Sequence, residues 1–342
     1  MRAPLTPRLP EPRGKLSRWV VERLRSGERQ SISEPGRVAP GGDSLFDEDL
    51  HLALYVCYEL HYRGFEGVDE DWEWEPSILA FRRHLEESFL EALQRAVPAD
   101  PVAPQEVETV LRSLSEAEIS PSLPGYIASR ATRDDVKEFL IHRSIYHLKE
   151  ADPHTWALPR LSGRPKVALA EIQSDEYGSG RPERLHAQLF ADSMTALGLD
   201  ASYGAYVDVV PGATLGALNL MSLFGLHRRW RGAVAGHLAL FEMTSSEPNR
   251  RLGDGLRRLG FGRDATAFFD EHVEADSVHE VIALHDLAGS LALTEPMVAS
   301  DIVFGARCLQ RFDQEIATEL VGAWSEGRSS LVSAKADFVQ AG

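Results

Sequence analysis

In FFDEHVEADSVHE, residues 268–280, His272, Asp276 and His279 follow one another at spacings of four and three. With ~100° of turn per residue, a helix places all three on one narrow face, and such a face is either solvated or holds a cation. RPERLHAQLFADSM supplies an acid-x-x-His pair, Glu183 and His186, and Asp276 with His279 forms a second, Asp standing in for Glu. Single carboxylates come from Glu150 in RSIYHLKEADPHTW and Glu242 in VAGHLALFEMTSSEP. Glu242 extends the row Val234, Leu238 on an otherwise apolar stripe. An unpaired buried carboxylate costs several kcal/mol, so it is protonated, paired or given a metal. Helical bundles that carry two metals use a Glu from each of two helices and an acid-x-x-His pair from each of the other two. His272 and Glu176 exceed that template, and Gly178, Gly180 and Pro182 allow a broken helix to aim both Glu176 and Glu183 at one centre. Eight mixed imidazole and carboxylate donors without thiolate suit two iron ions, with manganese as the alternative, and open positions permit O2 chemistry.

The elements that must position these groups are helical almost everywhere from residue 44 on. DEDLHLALYVCYELHYRG starts on an acidic turn and ends at Gly64, and a second helix opens at Pro76 and runs to Pro98. Further helices are expected over 104–117, 131–151, 165–177, 182–198, 215–225, 229–246, 249–259, 263–288 and 295–323, with 201–211 the one candidate strand. The reading is a single all-α domain over 44–342, preceded by an arm, 1–43, that is basic and Pro-rich. Residues 1–45 hold nine of the Arg and Lys against five acids and six of the 19 prolines. The short helix expected at LSRWVVERLRS is either mobile or laid over the body.

A chain of 342 residues that is 43% apolar can build its own core. The formal net charge of −16 argues against nucleic acid or an anionic membrane surface as partner. The only cysteines, Cys57 and Cys308, exclude a disulfide framework. No apolar run approaches the ~20 residues of a membrane span, and the N-terminus lacks a hydrophobic signal core, so a cytoplasmic location is expected.

AEIQSDEYGSGRPERLHAQLFADSMTALGL, HLALFEMTSSEPNRRLGDGLRRLGF and FFDEHVEADSVHE together resemble the heme-oxygenase-like diiron oxidase and oxygenase superfamily, the iron-containing redox enzymes. The resemblance runs over about residues 45–325 and is carried by Glu176, Glu183, His186, Glu242, His272, Asp276 and His279 in order. It implies a heme-oxygenase-like bundle of about seven core helices, with extra N-terminal helices here, that holds two ferrous ions and takes O2 as cosubstrate. By position, His186 and His279 resemble ligands of one iron, Glu176, His272 and Asp276 ligands of the other, Glu183 and Glu242 bridging acids, and Glu150 a further helix-borne ligand. Members desaturate or decarboxylate fatty acids, cleave amino-acid side chains or oxygenate amines, so the resemblance implies a small organic substrate without choosing it.

Blander readings stand beside these. Glu183-x-x-His186 alone reads as a solvated helical pair, and only the addition of Asp276, His279, His272 and Glu242 reverses that. His51, His61, His84, His147, His154, His227, His237 and His285 read as capping, surface or packing residues, and Glu171 with Asp175 as a solvent face. His142 and Tyr146 share the face of Glu150 and could support it by hydrogen bonds. Two other functions compete: a cofactor-independent oxidase of the pyrroloquinoline quinone maturation type, and a non-catalytic iron-binding helical protein. A homodimer is compatible with such a bundle, though nothing in the sequence fixes an interface.

Overall fold

The structure, a computed structural model, describes residues 6–27, 45–97 and 100–332, with the side chains of 274–277 outside the description. The described residues form helices and turns and no strand, so the fold is all-α as the periodicity predicts. In chain order the helices are α1 (Lys15–Ser26), α2 (Glu48–Glu59), α3 (Pro76–Ala96), α4 (Val107–Ser115), α5 (Leu123–Ser129), α6 (Arg133–His147) and the short α7 (Asp152–Thr155). After them come α8 (Gly163–Glu176), α9 (His186–Ala196), α10 (Gly212–Leu226), α11 (Arg231–Met243), α12 (Ser246–Arg258) and α13 (Arg263–Val281). A π-turn, Ile282–Gly289, leads from α13 into α14 (Ser290–Thr294) and then α15 (Ala299–Ser325).

The starts of these helices follow local chemistry. The Asp47 carboxylate accepts the Leu50 N–H at 2.7 Å ahead of α2, and Pro76 occupies the first turn of α3, where no backbone donor is needed. Thr132 and Asp135 exchange side-chain and backbone hydrogen bonds at the head of α6. α2 and α10 are buried on nearly every side and pack against each other at the centre. α1 lies on α2, with Val20, Val21 and Leu24 in the core, so the described part of the arm is laid over the body. The 43/44 boundary expected between arm and body falls outside the described residues.

α11 and α15 pack more extensively than any other pair of elements among the described residues, and glycine notches in both let their backbones approach. A Cβ at Gly236 would stand 1.8 Å from the Ile302 carbonyl oxygen, and one at Gly305 would stand 2.0 Å from that of Ala233. Both obstacles are backbone, so the helices themselves would have to part. Gly236→Ala is therefore expected to cost at least the ~1–3 kcal/mol of an overpacked core. Gly322→Ala on the open side of α15, where a Cβ meets nothing within 4 Å, should gain ~0.5–1 kcal/mol. Urea unfolding of the two variants checks the opposite signs.

Four expected elements differ. Residues 201–211 form successive turns rather than a strand: the N–H groups of Ala205, Val207 and Val209 bond three residues back, which leaves no ladder to extend. The helix expected over 182–198 begins only at His186, after a 3-10 turn at Pro182–Arg184. α6 ends at His147, which leaves Glu150 in the turn beyond it. The helix expected over 263–288 changes to π geometry at Ile282. No single helix among the described residues is long and apolar enough to cross a membrane.

Candidate metal centre

Five segments aim their ends inward at one point: the turn after α6 with Glu150, the last residue of α8, Glu176, the first of α9, His186, the C-terminal turn of α11 with Glu242, and the middle of α13 with His272 and His279. All six side chains are buried. Glu150, Glu176, His186 and His272 each bring one ligand atom within 4.8 Å of the others, and Glu176, Glu242 and His279 do the same. Glu176 belongs to both groups, its Oε2 2.9 Å from His186 Nδ1 and its Oε1 3.8 Å from His279 Nδ1. His272 Nε2 stands 3.6 Å from Glu150 Oε1, and His279 Nδ1 stands 3.4 Å from Glu242 Oε2.

The loop between α8 and α9 makes this convergence possible. Gly178, Ser179 and Gly180 all have positive φ, and a Cβ on Gly178 would stand 2.8 Å from the Arg184 carbonyl carbon and from the Leu185 nitrogen. The glycine lets the excursion close on itself, so residues ten apart in sequence meet. Glu183 rides on that excursion, exposed, and belongs to neither group. Its spacing to His186 is helical only if the helix starts at 182, and it starts at His186. The Asp276 side chain lies outside the described residues. The partition also differs from the one the resemblance implies: His186 sits with Glu150 and His272 rather than with His279.

Several features suit this donor set to metal ions. Glu150 Oε2 is buried and has no hydrogen-bond partner among the described residues, and His186 Nδ1, although 2.9 Å from Glu176, is not aligned for an N–H bond to it. The pair can serve one cation as ligands, and without a cation Glu176 holds the His186 imidazole in its protonated form more strongly than usual, raising it against the effect of burial. The tautomers are set from behind: His272 Nδ1 donates to the Phe268 carbonyl at 2.8 Å, turning Nε2 inward, and His279 Nε2 donates to Asp175 Oδ2 at 3.1 Å, turning Nδ1 inward. Burial raises the Glu242 carboxyl, with the nearby Glu176 adding to the rise and His279 opposing it. Burial acts the same way on Glu150, yet the imidazoles of His147 and His272 outweigh it and hold that carboxyl at about 2. Phe190 and Phe268 cover the imidazoles of His147 and His272, at 4.9 and 4.3 Å between ring centres, and exclude water.

Two participants escape the sequence reading. His147 donates from Nδ1 to the Arg143 carbonyl and turns Nε2 to within 3.5 Å of Glu150. Its signal was an imidazole three residues before an acid, the reverse of the acid-x-x-His order. Asp175, read as part of a solvent face, is half exposed but gripped by Ser179 Oγ at 2.6 Å and by His279. Asp175→Ala is expected to weaken a metal bound at His279 Nδ1 by about 10- to 100-fold, the usual cost of losing a ligand's outer partner; metal titration of the variant checks this. Arg181 and Arg184 are exposed, and Arg184 pairs with Glu271.

Beside the acids lies a small chamber of about 50 Å³. Tyr146 and Phe241 form its wall on the metal side, and Ile145, Leu218, Met221 and Leu309 make it largely apolar. His142 faces it with both ring nitrogens engaged, by Thr214 at 2.7 Å and Ser330 at 3.0 Å, so it braces the chamber rather than Glu150.

A CADD-like protein of unknown function from Nostoc punctiforme is 18% identical, with 66% of this chain and 98% of that one covered and a TM-score of 0.49. A domain of unknown function with a heme oxygenase-like fold from Shewanella denitrificans is 16% identical, with 66% and 94% covered and a TM-score of 0.42. No curated protein matches. The family model described as iron-containing redox enzyme matches residues 137–314, more than half of the chain and a span that contains every candidate ligand; the chain belongs to that family.

Proposed function

We propose that the chain is a non-heme diiron oxidoreductase that uses O2 on a small organic substrate. The observation that carries this reading is Glu176 shared between two buried groups of nitrogen and oxygen donors. Glu150, His186 and His272 would hold one metal and Glu242 and His279 the other, with Glu176 reaching both. Two ferrous ions bound there would supply electrons to O2, chemistry that the side chains alone do not provide.

The protein's own part is positional. Phe190 and Phe268 keep water from the imidazoles, and the backbone carbonyl of Phe268 and the Asp175 carboxylate fix which ring nitrogen faces inward. The Tyr146 hydroxyl, raised by burial and then by Glu150, Glu176 and Glu242, keeps its proton at neutral pH and presents a phenol between chamber and acids.

O2 uptake by iron-loaded protein over a panel of amines, amino acids and fatty acids tests the reading. Substrate-dependent uptake that disappears in His279→Ala supports it. Uptake that survives chelation points to the cofactor-independent oxidase, and metal binding without substrate-dependent uptake points to an iron-binding protein. Manganese reconstitution of the same preparation identifies the working metal.

A further inference from the structure

The chamber carries two charged residues among its lining, Arg143 from α6 and Asp313 from α15. Both are half-buried. Neither the guanidinium nor the carboxylate makes a hydrogen bond or an ion pair with any described residue, and the Arg143 guanidinium lies over the Phe139 ring, 5.6 Å from its centre. A cation and an anion facing one apolar space without joining each other leave both charges poorly compensated. Burial pushes the Asp313 carboxyl up, and Arg143 opposes that rise.

On the diiron reading above, we infer that the chamber takes an α-amino acid with an apolar side chain, its carboxylate held by Arg143 and its ammonium by Asp313. A zwitterion satisfies both charges at once, whereas a simple fatty acid leaves Asp313 facing an anion and a simple amine leaves Arg143 facing a cation. The position of the anchors sets the orientation. Arg143 lies one helical turn before His147, whose Nε2 is 3.5 Å from Glu150, so the head group sits roughly 5–10 Å along α6 from the acids. The side chain then runs past Ile145, Leu218 and Met221 toward Tyr146 and Phe241, the wall shared with the metal centre. The other polar lining groups do not compete for the head: both nitrogens of His142 are engaged, and His237 Nδ1 is bonded to His154 Nε2 at 3.1 Å.

Calorimetric titration of the full chain under nitrogen separates this inference from the redox reading, because no turnover enters the measurement. The probes are L-norvaline, pentanoate and butylamine, short enough for the small chamber. The amino acid is expected to bind at least about tenfold more tightly than either single-charge analogue, the scale of one charged hydrogen bond. Arg143→Met should reduce its affinity to that of butylamine, and Asp313→Asn to that of pentanoate. Arg143→Lys and Asp313→Glu, which keep the charges, should retain part of the preference and serve as folded controls. Equal binding of the three probes, no binding of any, or unchanged preference in Arg143→Met and Asp313→Asn overturns the inference, whatever the O2-uptake experiment shows.

Discussion

Glu176→Ala is expected to abolish both metal equivalents in one step. Each carboxylate oxygen faces a different imidazole, His186 at 2.9 Å and His279 at 3.8 Å, so no other single side chain among the described residues serves both donor groups. Losing an outer partner of a ligand costs about 10- to 100-fold in affinity, and losing the ligand itself should cost more. The companion variants separate the two groups. His186→Ala should lose the equivalent held with Glu150 and His272, and His279→Ala the one held with Glu242. Exposed Glu183 belongs to neither group, and Glu183→Ala should keep both equivalents with stability within ~0.5 kcal/mol of the parent. Metal-to-protein ratios after anaerobic titration and desalting read all four outcomes; two retained equivalents in Glu176→Ala would contradict the shared-ligand arrangement.

The second large effect is on pH. Burial would lower the His279 imidazole, but hydrogen bonds and charge from Glu242, Asp175 and Glu176 outweigh it and raise it to about 9. A metal at Nδ1 must displace that proton, so affinity at the Glu242–His279 group should rise about tenfold per pH unit up to about 9 and level off above it. The metal-free chain should show the opposite slope. Because the folded state holds the proton more tightly than the unfolded one, its contribution to stability is complete below about 6.5 and lost as pH rises toward about 9. Within that window the loss amounts to at most ~1.4 kcal/mol per unit. Affinity titrations across this range and urea unfolding of the metal-free chain give the two slopes. Flat affinity would mean that His279 is already neutral.

What the sequence could tell about this site divides along the kind of structure involved. His272 and His279 are seven residues apart on one helix, and Glu242 continues an apolar stripe, so helical periodicity alone places them inward. Glu150 is weaker by that measure, since it sits in a turn beyond α6, yet it is buried among imidazoles. Glu183 and His186 show where periodicity misleads: their spacing is helical, but the backbone between them is not, because Leu185 is extended at the head of α9. No periodic rule could show that Gly178 presses against Arg184 and Leu185 to bring Glu176 to His186. Asp175 and His147 were legible only as an exposed acid and a packing imidazole, since hydrogen bonding from behind leaves no spacing signature. For the fold, all-α character follows from apolar period, whereas the turns at 201–211 and the π-turn at Ile282–Gly289 depend on tertiary packing.

The position of bound metal is the most direct test of the two donor groups. Crystals of the chain soaked anaerobically with ferrous or manganese ions, measured at the metal absorption edge, should show two anomalous peaks, one among Glu150, His186 and His272 and one between Glu242 and His279, with Glu176 touching both. No peak at these residues, or a single peak that leaves one group unligated, would contradict it.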